Sequence, residues 1–196
     1  MKVMLVETER FEALIDAILA IIITMIVMEF PLPAEPTVGA LLELYPDFIA
    51  YILSFMLCFS IWIYHHNLFN IVNRLNSTIT WTCGIIMIFV GLLPHVTMML
   101  STNFYSFMPQ AMFGLIFMIS NILTYLMEIL IYNEDKANIA LALAIENRKT
   151  VTIICFIIQV ISFIIGYLYY PPMIIIGCLL AIITKLSWKY IKNYIR

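Results

Sequence analysis

Asp16 stands inside an apolar run, RFEALIDAILAIIITMIVMEF, that begins at Arg10 and ends at Phe30. An ionisable side chain at lipid depth costs a few kcal/mol unless it finds a partner, which makes it a functional-site hypothesis by default. A second group able to do chemistry ends the next apolar run: Trp62, then His65, His66 and Asn70. A carboxylate and imidazoles together suggest a proton relay, and paired histidines suggest a metal. Adjacent residues on a regular helix diverge, however, and no third ligand is spaced to join the pair, so no metal site is predicted. Enzyme chemistry at lipid, with His65 or His66 as base, is the weakest reading. The chain has no convincing set of nucleophile, metal ligands or phosphate-binding glycines, so no catalytic residue and no cofactor are expected.

These groups need elements to hold them. The chain is 64% hydrophobic and 11% charged, with mean hydropathy +1.03. Soluble domains carry about 25% charged residues. This is an all-α polytopic membrane protein, with residues 1–196 as one membrane domain. Spanning takes about 20 apolar residues, and six segments qualify, roughly 13–30, 47–69, 79–100, 108–132, 151–170 and 172–190. The polar stretch from Asn133 to Thr150 reads as the longest break on one side. The acidic leader and the lack of a small-residue cleavage site predict that the first run is retained as a span. Cys58, Cys83, Cys155 and Cys178 lie inside apolar runs and read as small core hydrophobes.

Charge fixes the orientation. On the six-span plan all ten basic residues, Lys2, Arg10, Arg74, Lys136, Arg148, Lys149, Lys185, Lys189, Lys192 and Arg196, fall on one side. The positive-inside rule then makes both termini cytoplasmic. The opposite side carries Glu35, Glu43 and Asp47, with Glu29 at its edge. That is either the residue of the rule or an acidic vestibule that concentrates cations. Arg10, Asp16, His65, His66 and Asn70 come to similar depth, and they read first as a structural polar network. Arg10 and Asp16 lie on different faces of one helix, so their partners must come from other helices or subunits. Glu128 is expected to snorkel towards Asn133 and Lys136. Lys185, Lys189, Lys192 and Arg196, interleaved with Trp188, Tyr190 and Tyr194, form a stripe suited to anionic lipids at the cytoplasmic face. The stripe is short and the net charge is −2, so nucleic acid is not an expected partner.

The first span divides into a small face, Ala13, Ala17, Ala20 and Thr24, and a large one, Leu14, Ile18, Ile21, Met25 and Met28. Small faces suit close helix contact. Large ones face lipid or packing partners, or line a neck that dewets and gates.

Arg10-Phe-Glu-Ala-Leu14-Ile15-Asp16, followed by Ala20-Ile21-Ile-Ile-Thr24 and Glu29, resembles the opening of the transmembrane-protein-175 family of cation channels in its bacterial six-helix form. Trp62-x-x-His65-His66-x-Leu68-Phe69, His66-x-x-x-Asn70 and Leu92-Leu93-Pro94 are similar to its second and third spans. Leu14 and Ile15 replace the Phe and Ser of the family's Arg-x-x-x-Phe-Ser-Asp signature. The resemblance implies a homotetramer in the cell membrane, with each first helix lining a pore for potassium and other monovalent cations. It places the main hydrophobic constriction at Ile21, further apolar layers at Met25 and Met28, and the residue linked to potassium preference at Thr24. Methionine stands where leucine or valine is usual. The expected function is a potassium-selective or weakly selective passive channel. The alternative is a proton-coupled transporter using Asp16 and the histidines as a relay, which the absence of broken helices in matched halves weakens.

Overall fold

Backbone polar groups at lipid depth must be satisfied within the protein, and this chain meets the requirement with helices. The computed structural model describes residues 6–72 and 74–195, the side chains of residues 6, 7, 74, 140, 144, 147 and 189–195 excepted. A two-residue strand β1 (Val6–Glu7) leads into α1 (Thr8–Met28). A short α2 (Val38–Glu43) precedes the long α3 (Tyr45–Phe69). After β2 (Arg74–Leu75) come α4 (Ser77–Val90), α5 (Leu93–Thr102) and α6 (Phe107–Glu134). The chain closes with α7 (Ile139–Leu168) and α8 (Met173–Ile195). β1 and β2 pair antiparallel, Val6 with Leu75 and Glu7 with Arg74, a small departure from an all-α chain.

Among the described residues, five units are long and apolar enough to cross a membrane: Thr8–Met28, Tyr45–Phe69, Ser77–Thr102, Phe107–Glu134 and Leu141–Leu168. The apolar part of α8, Met173–Trp188, is shorter.

One expected boundary is corrected. The third span, Ser77–Thr102, stands where expected but is interrupted by a turn at Gly91–Leu92 that divides it into α4 and α5. Pro94 lacks an N–H, and its ring crowds the carbonyl four residues back, at Val90. The stretch 133–150 is not a long break, because α7 already begins at Ile139. The Asn138 side chain caps it, accepting from the Leu141 amide at 3.1 Å. Ala-Leu repeats behind the cap are strong helix formers. The polar residues 146–150 therefore extend a helix beyond its apolar length. Asn76, part of an Asn-Ser-Thr sequon, is likewise a cap, accepting from Ile79 N at 2.9 Å.

Packing sorts the faces. α7 and α8 form the most intimate pair, with α4 against α6, α3 against α5, and α1 against α3 and α5. A Cβ at Gly177 of α8 would collide with the Ser162 side chain of α7, so only glycine allows the approach. All four cysteines are free and buried. Large apolar side chains on the outside of α4, α6, α7 and α8, among them Ile88, Leu126, Ile157, Ile161 and Ile183, are exposed, as lipid-facing residues are.

α1 meets this core with a third stripe, Phe11, Ile15, Leu19, Ile22 and Ile26, all buried. Both faces singled out in the sequence lie off the core. Ala13, Ala17, Ala20 and Thr24 are exposed. Ile21 is 59% exposed and Met28 85%, with Leu14 and Met25 also open and Ile18 half-buried.

Candidate pore-lining site and its polar clamp

The open side of α1 spans about half its circumference at roughly 100° per residue. Leu14, Ile21 and Met28 recur every seven residues, so they stay within about 20° of one line. Met25 lies about 40° to one side of Ile21, and Thr24 about 60° to the other. The Thr24 hydroxyl donates to Ile21 O at 2.7 Å, which leaves its oxygen able to accept from or coordinate a ligand.

α3 holds the basic end of this helix by hydrogen bonds. Trp62 Nε1 donates to Asp16 Oδ1 at 2.9 Å. His66 Nδ1 lies 2.7 Å from Glu12 Oε1, and its Nε2 lies 3.2 Å from Asn70 Nδ2. Asn70 Nδ2 can only donate, so Nε2 accepts and Nδ1 carries the proton given to Glu12. Glu12 and Asp16 sit four residues apart on one face of α1, as do Trp62, His66 and Asn70 on α3. The Trp62 and His66 rings stack at 5.4 Å and 10°. The stack continues through Phe59, 5.6 Å from Trp62, to Phe55, 5.9 Å further on.

The expected network of Arg10, Asp16, His65, His66 and Asn70 divides. Asp16, His66 and Asn70 join the clamp, and Asp16 finds its partner on another helix. Arg10 is exposed and makes no ion pair among the described residues. His65 points elsewhere because consecutive helical residues diverge by about 100°. It is 2% exposed, stacks on Phe69 at 5.5 Å, and brings Nε2 to 4.0 Å from Cys83 Sγ. No group of three or more His, Cys, Asp or Glu that could hold a metal occurs among the described residues.

At the opposite end Glu29 lines a small cleft with Asp47, Tyr51, Thr97 and Ser101, and its Oε2 is enclosed there. The carboxylate is thus directed between α1, α3 and α5. Glu128 is corrected outright. It does not reach towards Asn133 or Lys136 but lies buried in an ion pair with Arg148, 3.4 Å away on α7. Lys185 leaves the basic stripe and turns inward to Asn121. The side chains of Lys189, Tyr190, Lys192, Tyr194 and Arg196 lie outside the described residues.

Over nearly its whole length the chain is 31% identical to a potassium channel of Chryseobacterium sp., across 191 residues that make up 95% of this chain and 97% of that one. The family model for endosomal/lysosomal potassium channel TMEM175 matches residues 10–94. The chain belongs to the TMEM175 family. A potassium channel from Chamaesiphon minutus is 34% identical over 111 residues, about half of each chain. The fold agrees as well. The crystal structure of a Chamaesiphon minutus homologue of the lysosomal potassium-selective channel TMEM175 superposes with a TM-score of 0.70. It covers 92% of this chain and 97% of that one at 22% identity.

The matched span, residues 10–94, contains the open face of α1 and the whole clamp. Two parts of the clamp do not stand out in the sequence. Glu12 does not, because an acid near a helix start needs no special partner. The aromatic stack carries its signal only in spacing, with Phe55, Phe59, Trp62 and His66 three or four residues apart on one face.

Proposed function

We propose that this TMEM175-family chain is a passive potassium-selective channel whose four subunits meet around α1. The observation that carries the assembly is the half-bare first helix. Its core stripe is packed and its basic end is clamped, yet Leu14, Ile21, Met25 and Met28 have no cover within the subunit. In this reading the line Leu14–Ile21–Met28 faces the axis, Ile21 forms the narrowest apolar ring, and Met25 and Met28 add softer layers above it. Ala13, Ala17 and Ala20 let neighbouring subunits approach closely. Thr24 sits beside the constriction, where its oxygen replaces part of an ion's hydration shell.

The same reading makes α8 a sixth span, eked out by its polar extension, with both termini cytoplasmic in a bacterial plasma membrane. Potassium specificity rests on family membership. A proton-coupled mechanism loses its relay, since His65 and His66 face different helices and only His66 joins the acidic residues of α1.

The test is ion flux from purified protein in liposomes. Potassium should move down its gradient with no coupled ion, and Ile21→Asn, which wets the neck, should raise conductance and lower potassium preference. Flux that requires a proton gradient, or a currents record unchanged by Ile21→Asn, overturns the pore assignment.

A further inference from the structure

A second polar cluster lies on the basic side, away from α1. Glu128 of α6 is 2% exposed, and its single contact with Arg148 is 3.4 Å from Oε1 to Nη1. The Arg148 guanidinium covers the Tyr64 ring at 4.0 Å from the centroid. The Tyr64 hydroxyl donates to Thr124 O at 3.4 Å. Lys185 of α8 donates to Asn121 Oδ1, while Asn121 Nδ2 is buried with no hydrogen-bond partner.

The groups do not balance. Two basic side chains, Arg148 and Lys185, stand near one carboxylate among four helices. A complete arginine–carboxylate pair is bidentate and shorter; this one is a single long contact. Arginine offers five N–H groups and lysine three, and one acceptor is matched to each side chain here. Asn121 adds an unclaimed donor. Buried donors without acceptors are costly. What complements such a set is an anion with several acceptor oxygens.

Depth agrees. Arg148 stands twenty residues before the end of α7 at Leu168. At 1.5 Å per residue that is about 30 Å, the thickness of the hydrocarbon core. The guanidinium therefore lies where inner-leaflet phosphates lie, and one third of its side chain is exposed.

We propose that α6, α7 and α8 form a binding site for a phosphate-bearing anion at the cytoplasmic face, with Arg148 and Lys185 as cationic ligands and Asn121 Nδ2 as neutral donor. Glu128 and the Tyr64 ring hold Arg148 when the site is empty. The anion is either a lipid headgroup phosphodiester or inorganic phosphate, which share this chemistry.

The test uses the purified full-length channel, diluted phosphatidylglycerol as lipid probe, and inorganic phosphate as aqueous probe. Native mass spectrometry should find phosphatidylglycerol retained by the unmodified protein. Arg148→Gln and Lys185→Gln should each cut that occupancy about fivefold, while Lys149→Gln, at the exposed neighbouring position, leaves it unchanged. Displacement of the lipid by millimolar inorganic phosphate assigns the site to the free anion, and undisturbed lipid assigns it to the headgroup. If Arg148→Gln fails to fold, Arg148→Lys keeps the charge and should retain the lipid while Lys185→Gln loses it. Equal occupancy in all variants, or an equal loss in Lys149→Gln, overturns the proposal.

Discussion

Trp62→Phe is the sharpest probe of the clamp, because it removes one proton donor and little else. The smaller ring still stacks between Phe59 and His66, which lie 5.6 Å and 5.4 Å from the indole. What disappears is the Nε1–H bond to Asp16 Oδ1, 2.9 Å long. A hydrogen bond to a charged group contributes about 1.5–3 kcal/mol. Asp16 is exposed, so no more than the bottom of that range applies, and about 1–1.5 kcal/mol is expected, a roughly five- to thirteenfold change in the folding equilibrium. A double-mutant cycle with Asp16→Ala, which removes the acceptor, isolates this pair from the stack. Unfolding in detergent, followed by circular dichroism against rising denaturant, should give a coupling of about 1 kcal/mol. A coupling within about 0.3 kcal/mol of zero refutes the hydrogen bond as the link between α1 and α3. If Trp62→Ala then destabilises strongly, the aromatic stack is what joins the two helices.

The other predictions test separate parts of the molecule. Thr24→Ala should lower the potassium-to-sodium permeability ratio in bilayer recordings while gel filtration still finds the intact assembly; an unchanged ratio with a weakened assembly makes Thr24 a packing residue. Glu128→Gln should destabilise the protein by about 3 kcal/mol, the low end for breaking a buried pair because Arg148 is partly exposed, read as a fall of several degrees in the thermal midpoint. Gly177→Val should separate α7 from α8 and abolish folded protein in detergent, and well-behaved material with a normal midpoint would contradict the Ser162 contact.

How much of this was legible follows from what each residue could signal alone. The family motifs place the clamp because Asp16, Trp62, His66 and Asn70 carry polar groups that stand out against lipid-grade sequence. The orientation of α1 was not legible by residue type. Its core stripe, Phe11, Ile15, Leu19, Ile22 and Ile26, is as apolar as the open line Leu14, Ile21 and Met28. Inside a membrane neither stripe gains by leaving the surroundings, since lipid is as apolar as leucine. Only shape complementarity to α3 and α5 distinguishes them. The pairing of Glu128 with Arg148 failed for a different reason. It depends on α7 starting at Ile139, which turns an apparent loop arginine into a residue of the helix beside α6.

α1 is held at its two ends by different forces, and this bears on where the proposed pore can change width. At the basic end the clamp joins Glu12 and Asp16 to α3 through directional hydrogen bonds, and Thr8 adds a bond to Val72 O at 3.1 Å. Just beyond the other end, Phe30 sits edge-on to Phe48 at 4.7 Å and to Tyr51 at 6.0 Å. Between them, Leu19 and Ile22 meet the core through dispersion alone, which is weak per contact and indifferent to small rotations. The stretch with the least directional restraint is therefore the one that carries Ile21. Structural restraint and proposed gate thus fall on different segments of one helix.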